Sequence, residues 1–141
     1  VRPTTAAPTP SLRHKMPPSR VFVTHAPARW DQQAAAFRPF YDLTPAEKFG
    51  RLRFLIPLGE PVNDPIPFLP LIERGLSDYR DGDYLLAIGS PVFIAYAAMV
   101  AAGKARGSVR LLWWLGPKAA RYEVANLETR LIRLASIGAI G

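Results

Sequence analysis

Residues 84–115 constrain the fold of this chain more than any other segment, because they predict a strand, a helix and a second strand in direct succession. Residues 84–88 form a short apolar run typical of a buried strand, and residues 108–115 combine β-branched and aromatic side chains. Between them, Ser90 suits a helix N-cap and Pro91 a first helical position. The spacing matches a right-handed βαβ crossover, so we expect two parallel neighbouring strands.

Further strands and helices extend this unit. Strands are predicted at residues 20–25, 51–56 and 121–124, the last as a hairpin partner of residues 108–115. Helices are predicted at residues 31–36, 44–50, 68–79 and 126–133, with Thr44 and Asn126 as N-caps. The alternation of elements predicts an α/β fold with a small, mostly parallel sheet of Rossmann-like order, preceded by an extended proline-rich arm.

One alternative to this fold is a membrane span. No charged residue stands between Asp83 and Lys104, a stretch long enough to cross a bilayer. Gly89, Ser90 and Pro91 interrupt it near its start, where they suit a strand-to-helix junction better than a continuous helix. The sequence therefore favours a βαβ unit over membrane insertion.

The two ends of the chain differ in composition from its body. Residues 1–19 hold five prolines and the basic residues Arg2, Arg13 and Lys15, and no acidic residue. This mix favours extended, polyproline-like backbone over helix. We predict a basic arm at 1–19, one domain at 20–135 and a tail at 136–141. The arm has little apolar area to bury against its own domain, so we expect a neighbouring molecule to hold it, and docking on its own domain is the alternative.

The last third of the chain contributes much of the net charge of +7. We expect a basic contact surface for nucleic acid or an acidic protein there, and a solvated face that maintains solubility is the alternative. The residues of this predicted surface are Arg110, Lys118, Arg121, Arg130 and Arg133.

Trp113 and Trp114 are adjacent in a predicted strand and therefore point to opposite faces of the sheet. Packing into the core on both faces is the leading expectation. In the alternative, one of them is an exposed anchor that stacks a base or contacts a partner protein.

Two features fall at the carboxyl ends of predicted strands, where ligands gather in open parallel sheets: His25 and the pair Gly89-Ser90. The Ser90 hydroxyl and the first amides of the following helix could bind an anion, and the alternative is plain helix capping. Catalysis by Ser90 would need His25 as its base, yet the sequence lacks a nucleophile-elbow motif. The chain has no cysteine, no nucleotide-binding glycine motif and no recognisable metal-ligand set. We therefore expect neither cofactor nor metal.

Three segments together resemble small bacteriophage-encoded proteins of uncharacterised function. They are residues 41–50, 83–91 and 107–114, which read YDLTPAEKFG, DYLLAIGSP and GSVRLLWW, and the resemblance covers about residues 20–125. It implies a phage context and transfers no catalytic residue.

The leading functional hypothesis is a non-enzymatic binding or structural subunit, most consistent with a phage structural or accessory protein in the virion or the infected cell. It would contact a protein partner, or further copies of itself, through the arm and the basic last third. Two alternatives stay open: a nucleic-acid-binding accessory protein, and a small ligand- or phosphate-binding enzyme that uses His25 and Ser90.

Overall fold

The centre of the protein is a five-stranded mixed sheet. The structure is a computed structural model and describes residues 17–129. The sheet strands are β1 (Arg20–Val23), β4 (Arg51–Phe54), β5 (Tyr84–Leu86), β6 (Ser108–Trp114) and β7 (Tyr122–Glu128). A separate two-stranded sheet consists of β2 (Ala28–Asp31) and β3 (Ala36–Pro39). Four strands of the large sheet are parallel, and β7 pairs antiparallel with β6.

Within residues 17–129, two α-helices and two 3-10 helices connect the strands. The α-helices are α1 (Leu69–Gly75) and α2 (Pro91–Lys104), and the 3-10 helices span Thr44–Phe49 and Ile66–Phe68. The predicted βαβ unit is present as β5, α2 and β6, with β5 and β6 parallel and adjacent. The α/β fold with a mostly parallel sheet is thereby confirmed.

The strand order in the sheet is β4-β1-β5-β6-β7. From β1 the chain adds β4 on one side, and after β4 it adds β5, β6 and β7 on the other side of β1. It moves outward from β1 to β4 and then crosses back over β1 to reach β5 and β6. Right-handed crossovers therefore place the first connection on one face and the next two on the other. This is a doubly wound order with its switch point between β1 and β5, and the Rossmann-like order is not confirmed.

The core lies on both faces of the sheet because side chains alternate along each strand. Phe22 and Leu85 belong to the cluster that α1 and α2 cover with Ile72, Leu76 and Phe93. The opposite cluster contains Val21, Val23, Leu86 and Leu112, and it is covered by Leu43 and by Ala46 of the 3-10 helix that follows Leu43. Apolar cover on both faces explains the nearly continuous apolar run in β1.

The predicted helix at residues 31–36 is wrong: this segment is the turn of the β2–β3 hairpin. The Asp31 carboxylate accepts the backbone N–H groups of Gln33 (2.9 Å) and Ala34 (3.3 Å), which closes a turn instead of a helix. Ala35 has a φ of +51°, a left-handed conformation that no helix interior allows.

Two predicted N-caps are also wrong. The 3-10 helix at Thr44–Phe49 begins after Leu43 with no side-chain cap, and the Thr44 side chain is bonded to the Asp42 carboxylate, which also accepts the Thr44 N–H. Asn126 does not begin a helix either: residues 126–128 continue β7, which pairs with β6 as far as Ser108. An open edge on β6 offers the chain seven-residue pairing, which outweighs local helix propensity. The rest of the predicted last helix lies outside the described residues.

The uncharged stretch that resembled a membrane span is divided between β5, a turn and α2. Among residues 17–129, no helix has the length and apolar character needed to cross a bilayer. Most of the predicted arm, residues 1–16, and the predicted tail at 136–141 lie outside the described part of the chain.

Candidate functional site

An open pocket of about 600 Å³ lies where the chain leaves β5 and β6, at the carboxyl edge of the parallel strands. Ligands of doubly wound sheets bind at this edge, close to the switch point. The described lining residues are mostly apolar or aromatic: Pro27, Phe40, Tyr41, Asp42, Ala87, Ile88, Gly89, Ile94, Trp114 and Tyr122.

The pocket has an exposed aromatic rim. Phe40 is 58% exposed, Tyr41 59% and Trp114 39%. The Trp114 ring packs on the buried Tyr122 ring with their centroids 4.9 Å apart, which holds Trp114 in one orientation. We define these four residues as the aromatic rim, and their side-chain types are those that dominate binding energy at interfaces.

Trp113 and Trp114 are both largely exposed, so the expectation that each packs into the core is wrong. They do point to opposite faces, and only Trp114 lines the pocket. Both stand at the end of β6, beyond the buried Val109 and Leu112. The role of either tryptophan as an anchor stays a prediction.

Of the described residues that line the pocket, only Asp42 is charged. Its carboxylate accepts the Thr44 backbone N–H at 3.0 Å. Hydrogen bonds from the Thr44 side chain and backbone lower the pKa of Asp42. Burial, with the Asp42 charge as a smaller cause, raises the pKa of Tyr122. The pocket is therefore apolar with a single anionic group at neutral pH.

The backbone segments that follow β1 and β5 approach each other closely beside the pocket. Thr24 is fully buried, and its hydroxyl donates to the Ile88 carbonyl oxygen and accepts the Ile88 N–H (3.3 Å). Gly89 has a φ of +91°, and a Cβ at this position would collide with the carbonyl oxygen of His25. Gly89 is thus required both by its backbone conformation and by space.

The three residues of the predicted anion site, His25, Gly89 and Ser90, make different contacts in the structure. Ser90 caps α2, with its side-chain oxygen accepting the Val92 N–H at 3.2 Å. The His25 ring packs edge-on against Phe93 with centroids 5.7 Å apart, and burial lowers the pKa of His25. Within residues 17–129 no hydrogen bond joins His25 to Ser90, and of the three only Gly89 lines the pocket. Anion binding stays a prediction.

The described residues of the predicted basic surface lie in two places: Arg110 is within β6, whereas Lys118 and Arg121 lie between β6 and β7. The Arg110 guanidinium lies 5.6 Å from the Tyr84 ring centroid, midway along β6. Lys118 is in the turn between β6 and β7, and Arg121 Nε lies 3.7 Å from Glu123 Oε2. The remaining predicted basic contacts, Arg130, Arg133, Arg2, Arg13 and Lys15, lie outside the described residues.

Sequence reasoning missed the β2–β3 hairpin as a surface. Trp30 and Phe37 face each other across its strands with ring centroids 5.1 Å apart, and both are exposed. Arg29 and Arg38 form the neighbouring cross-strand pair. Aromatic and charged residues alternate at residues 29–31 and again at 37–39, on either side of a turn that begins with two glutamines. That pattern could have predicted this hairpin.

The comparisons with known proteins give one match. A family model described as "Phage Pam3 gp32-like protein" matches residues 19–129. No curated protein and no solved structure matches the chain. The match confirms the resemblance to uncharacterised phage proteins.

Proposed function

Because the chain belongs to the phage Pam3 gp32-like protein family, we propose that it serves the phage as a non-enzymatic binding protein that engages another protein through the aromatic rim. The observation that carries the proposal is the exposed rim around a pocket at the carboxyl edge of the sheet. Aromatic side chains concentrated around a concave surface are a feature of interaction sites.

The rim is pre-organised for binding. Trp114 rests on Tyr122, which is buried, so ordering Trp114 in a complex removes little rotamer freedom. Arg29 lies over the Phe40 ring with its guanidinium carbon 5.7 Å from the centroid, so this part of the rim already accepts a cation. A partner that covers these rings gains apolar burial at low entropic cost.

The ionisable groups of the pocket favour binding over proton transfer. Asp42 has a lowered pKa and Tyr122 a raised one, so near neutral pH the first stays charged and the second neutral. A general acid or base works best with a pKa near the operating pH. Neither group meets that requirement.

Photo-crosslinking during infection tests the proposal. A photoreactive phenylalanine analogue at Tyr41, on the rim, is expected to yield covalent adducts with a specific protein. The same analogue at Met99, which is 70% exposed on α2 and does not line the pocket, is the matched control. Equal adduct patterns at the two positions, or none at Tyr41, would contradict a rim-based partner.

A second candidate function is the binding of single-stranded nucleic acid by the β2–β3 hairpin. Trp30 is 53% exposed and stands beside the cross-strand pair of Arg29 and Arg38. Aromatic faces among basic side chains bind bases by stacking and phosphates by charge. Arg38 also pairs with Asp31 at 2.8 Å, whereas Arg29 lies over the Phe40 ring and has no carboxylate partner among the ion pairs of the described residues.

For this second candidate, Trp30→Ala is expected to weaken binding of a single-stranded oligonucleotide by about 1–3 kcal/mol, the usual contribution of one stacked base. Trp113→Ala removes an equally accessible tryptophan from another surface and should leave the affinity unchanged. Fluorescence anisotropy over a salt series measures both. Affinity that does not fall with added salt, or equal losses in the two variants, would exclude the hairpin as a nucleic-acid site.

A further inference from the structure

We propose that the pocket receives the proline-rich arm of a second copy of this chain. The proposal rests on the proposed function and names the partner of the same aromatic rim. Three sets of observations support it: the chemistry of the rim, the charge of its one acidic group, and the edge of the sheet at which the arm joins the domain.

The rim has the chemistry that proline-rich segments bind. Phe40, Tyr41 and Trp114 expose aromatic faces around one concave surface of about 600 Å³. Grooves walled by aromatic rings bind proline-rich peptides because a proline ring stacks flat on an aromatic face and polyproline backbone loses little entropy on binding. The arm supplies such a sequence, with Pro3, Pro8 and Pro10 spaced along it.

The charges of the pocket and the arm are complementary. Asp42 is the one charged residue among the described lining residues, and it is an anion. The arm carries Arg2, Arg13 and Lys15 and no acidic residue. A cation placed beside Asp42 would fix the position of the proline rings on the rim, as the basic residues flanking a proline-rich ligand commonly do.

The position at which the arm joins the domain favours a second copy over the same chain. Pro17–Ser19 precede β1, so they stand at the amino edge of the parallel strands, and Arg80 Nη2 donates to the Pro18 carbonyl oxygen there at 3.2 Å. The pocket lies at the opposite, carboxyl edge. Pro17 and Pro18 are consecutive, and consecutive prolines favour extended backbone over the reversal needed to return across the domain.

The arm is long enough to span between two copies. At about 3.1 Å per residue in polyproline conformation, residues 1–16 reach about 50 Å. Docking one copy's arm in the next copy's pocket is a head-to-tail contact, which closes into a ring or continues as a chain depending on its rotation. The purified protein should therefore self-associate in a concentration-dependent manner.

Complementation between two full-length variants tests the proposal. The pocket variant carries Tyr41→Ala and Asp42→Lys, and the arm variant carries Pro8→Ser, Pro10→Ser and Arg13→Glu. Analytical ultracentrifugation should show self-association of the wild-type chain and a dissociation constant at least about 10-fold higher for each variant alone. An equimolar mixture should form a heterodimer, because one variant keeps an intact arm and the other an intact pocket. Trp113→Ala, an exposed aromatic outside the pocket, is the control and should associate like the wild type.

Three results would overturn the proposal: a wild-type chain that stays monomeric at every attainable concentration, a pocket variant that associates like the wild type, or a mixture that forms no heterodimer. Tyr41 and Asp42 are both exposed and not part of the core, so we expect the pocket variant to fold. Circular dichroism checks that both variants are folded. If the wild type is monomeric but the analogue at Tyr41 still crosslinks another protein during infection, the inference fails and the proposed function stands. If neither is observed, both fail.

Discussion

Asp83→Ala is expected to lower the free energy of unfolding by about 2–3 kcal/mol, because it removes a buried acceptor from several donors, while the Arg20 guanidinium keeps its ion pair with Asp78 at 2.6 Å. Asp83 is only 1% exposed. Its carboxylate accepts hydrogen bonds from the Arg20 backbone N–H (3.0 Å), Arg20 Nε (3.4 Å), Arg20 Nη2 (2.8 Å) and the Arg80 backbone N–H (3.1 Å). Alanine would leave these four donors without this acceptor at the amino edge of β1 and β5.

The structure offers a matched control two residues away. Asp81 is exposed in the turn before β5, so Asp81→Ala removes the same charge from the chain without removing a buried acceptor. Its effect should stay within about 0.5 kcal/mol. Urea denaturation measures both variants, with an unchanged slope showing that stability alone has changed. Equal midpoints for the two variants would show that the buried network does not hold β1 to β5.

Gly89→Ala is expected to destabilise the fold by about 2–3 kcal/mol, since an alanine at φ +91° is strained and its Cβ collides with the His25 carbonyl oxygen. Relief of that collision requires the segments after β1 and β5 to move apart. Thr24 ties the same segments together through Ile88, so the movement also breaks buried hydrogen bonds. Because Gly89 lines the pocket, the substitution should weaken any rim-dependent binding as well.

Gly103→Ala is the control for Gly89→Ala, and it should change the stability in the opposite direction. Gly103 lies in α2, and a Cβ there would meet nothing within 4 Å. Alanine in place of a helical glycine should therefore raise stability by about 0.5–1 kcal/mol. Thermal and urea denaturation should give opposite signs for the two glycine substitutions. A change of the same sign and size in both would contradict the close backbone approach at Gly89.

The elements that the sequence predicts well are those whose signals are local. Ser90 and Pro91 begin α2 because a serine acceptor and a proline with fixed φ each favour a helix start whatever surrounds them. β1, β5 and β6 are short runs rich in β-branched, leucine and aromatic residues, and both faces of the sheet are covered. The predicted hairpin of β6 and β7 follows from the Gly-Pro turn between them.

The errors arise where a tertiary partner overrides a local preference. Asn126 could begin a helix in isolation, but the open edge of β6 pairs with it as a strand. Thr44 suits an N-cap, but its side chain and its backbone N–H both hydrogen bond to Asp42, which precedes the helix. The apolar content of Trp113 and Trp114 predicts burial, yet both are partly exposed at the end of β6, on opposite faces of the sheet. None of these outcomes can be predicted from the residues adjacent in the sequence.

The sequence by itself determined the βαβ unit, the α/β class and the chemistry of the arm, because each follows from residues that are close together in the chain. The tertiary structure alone decided the site. The segment from Phe40 to Asp42 is far in sequence from Gly89 and from Trp114, and the three meet only because the strand order places the ends of β5 and β6 beside the segment after β3. Whether an aromatic residue is core or rim depends on which element covers it, and that is a property of packing between distant segments.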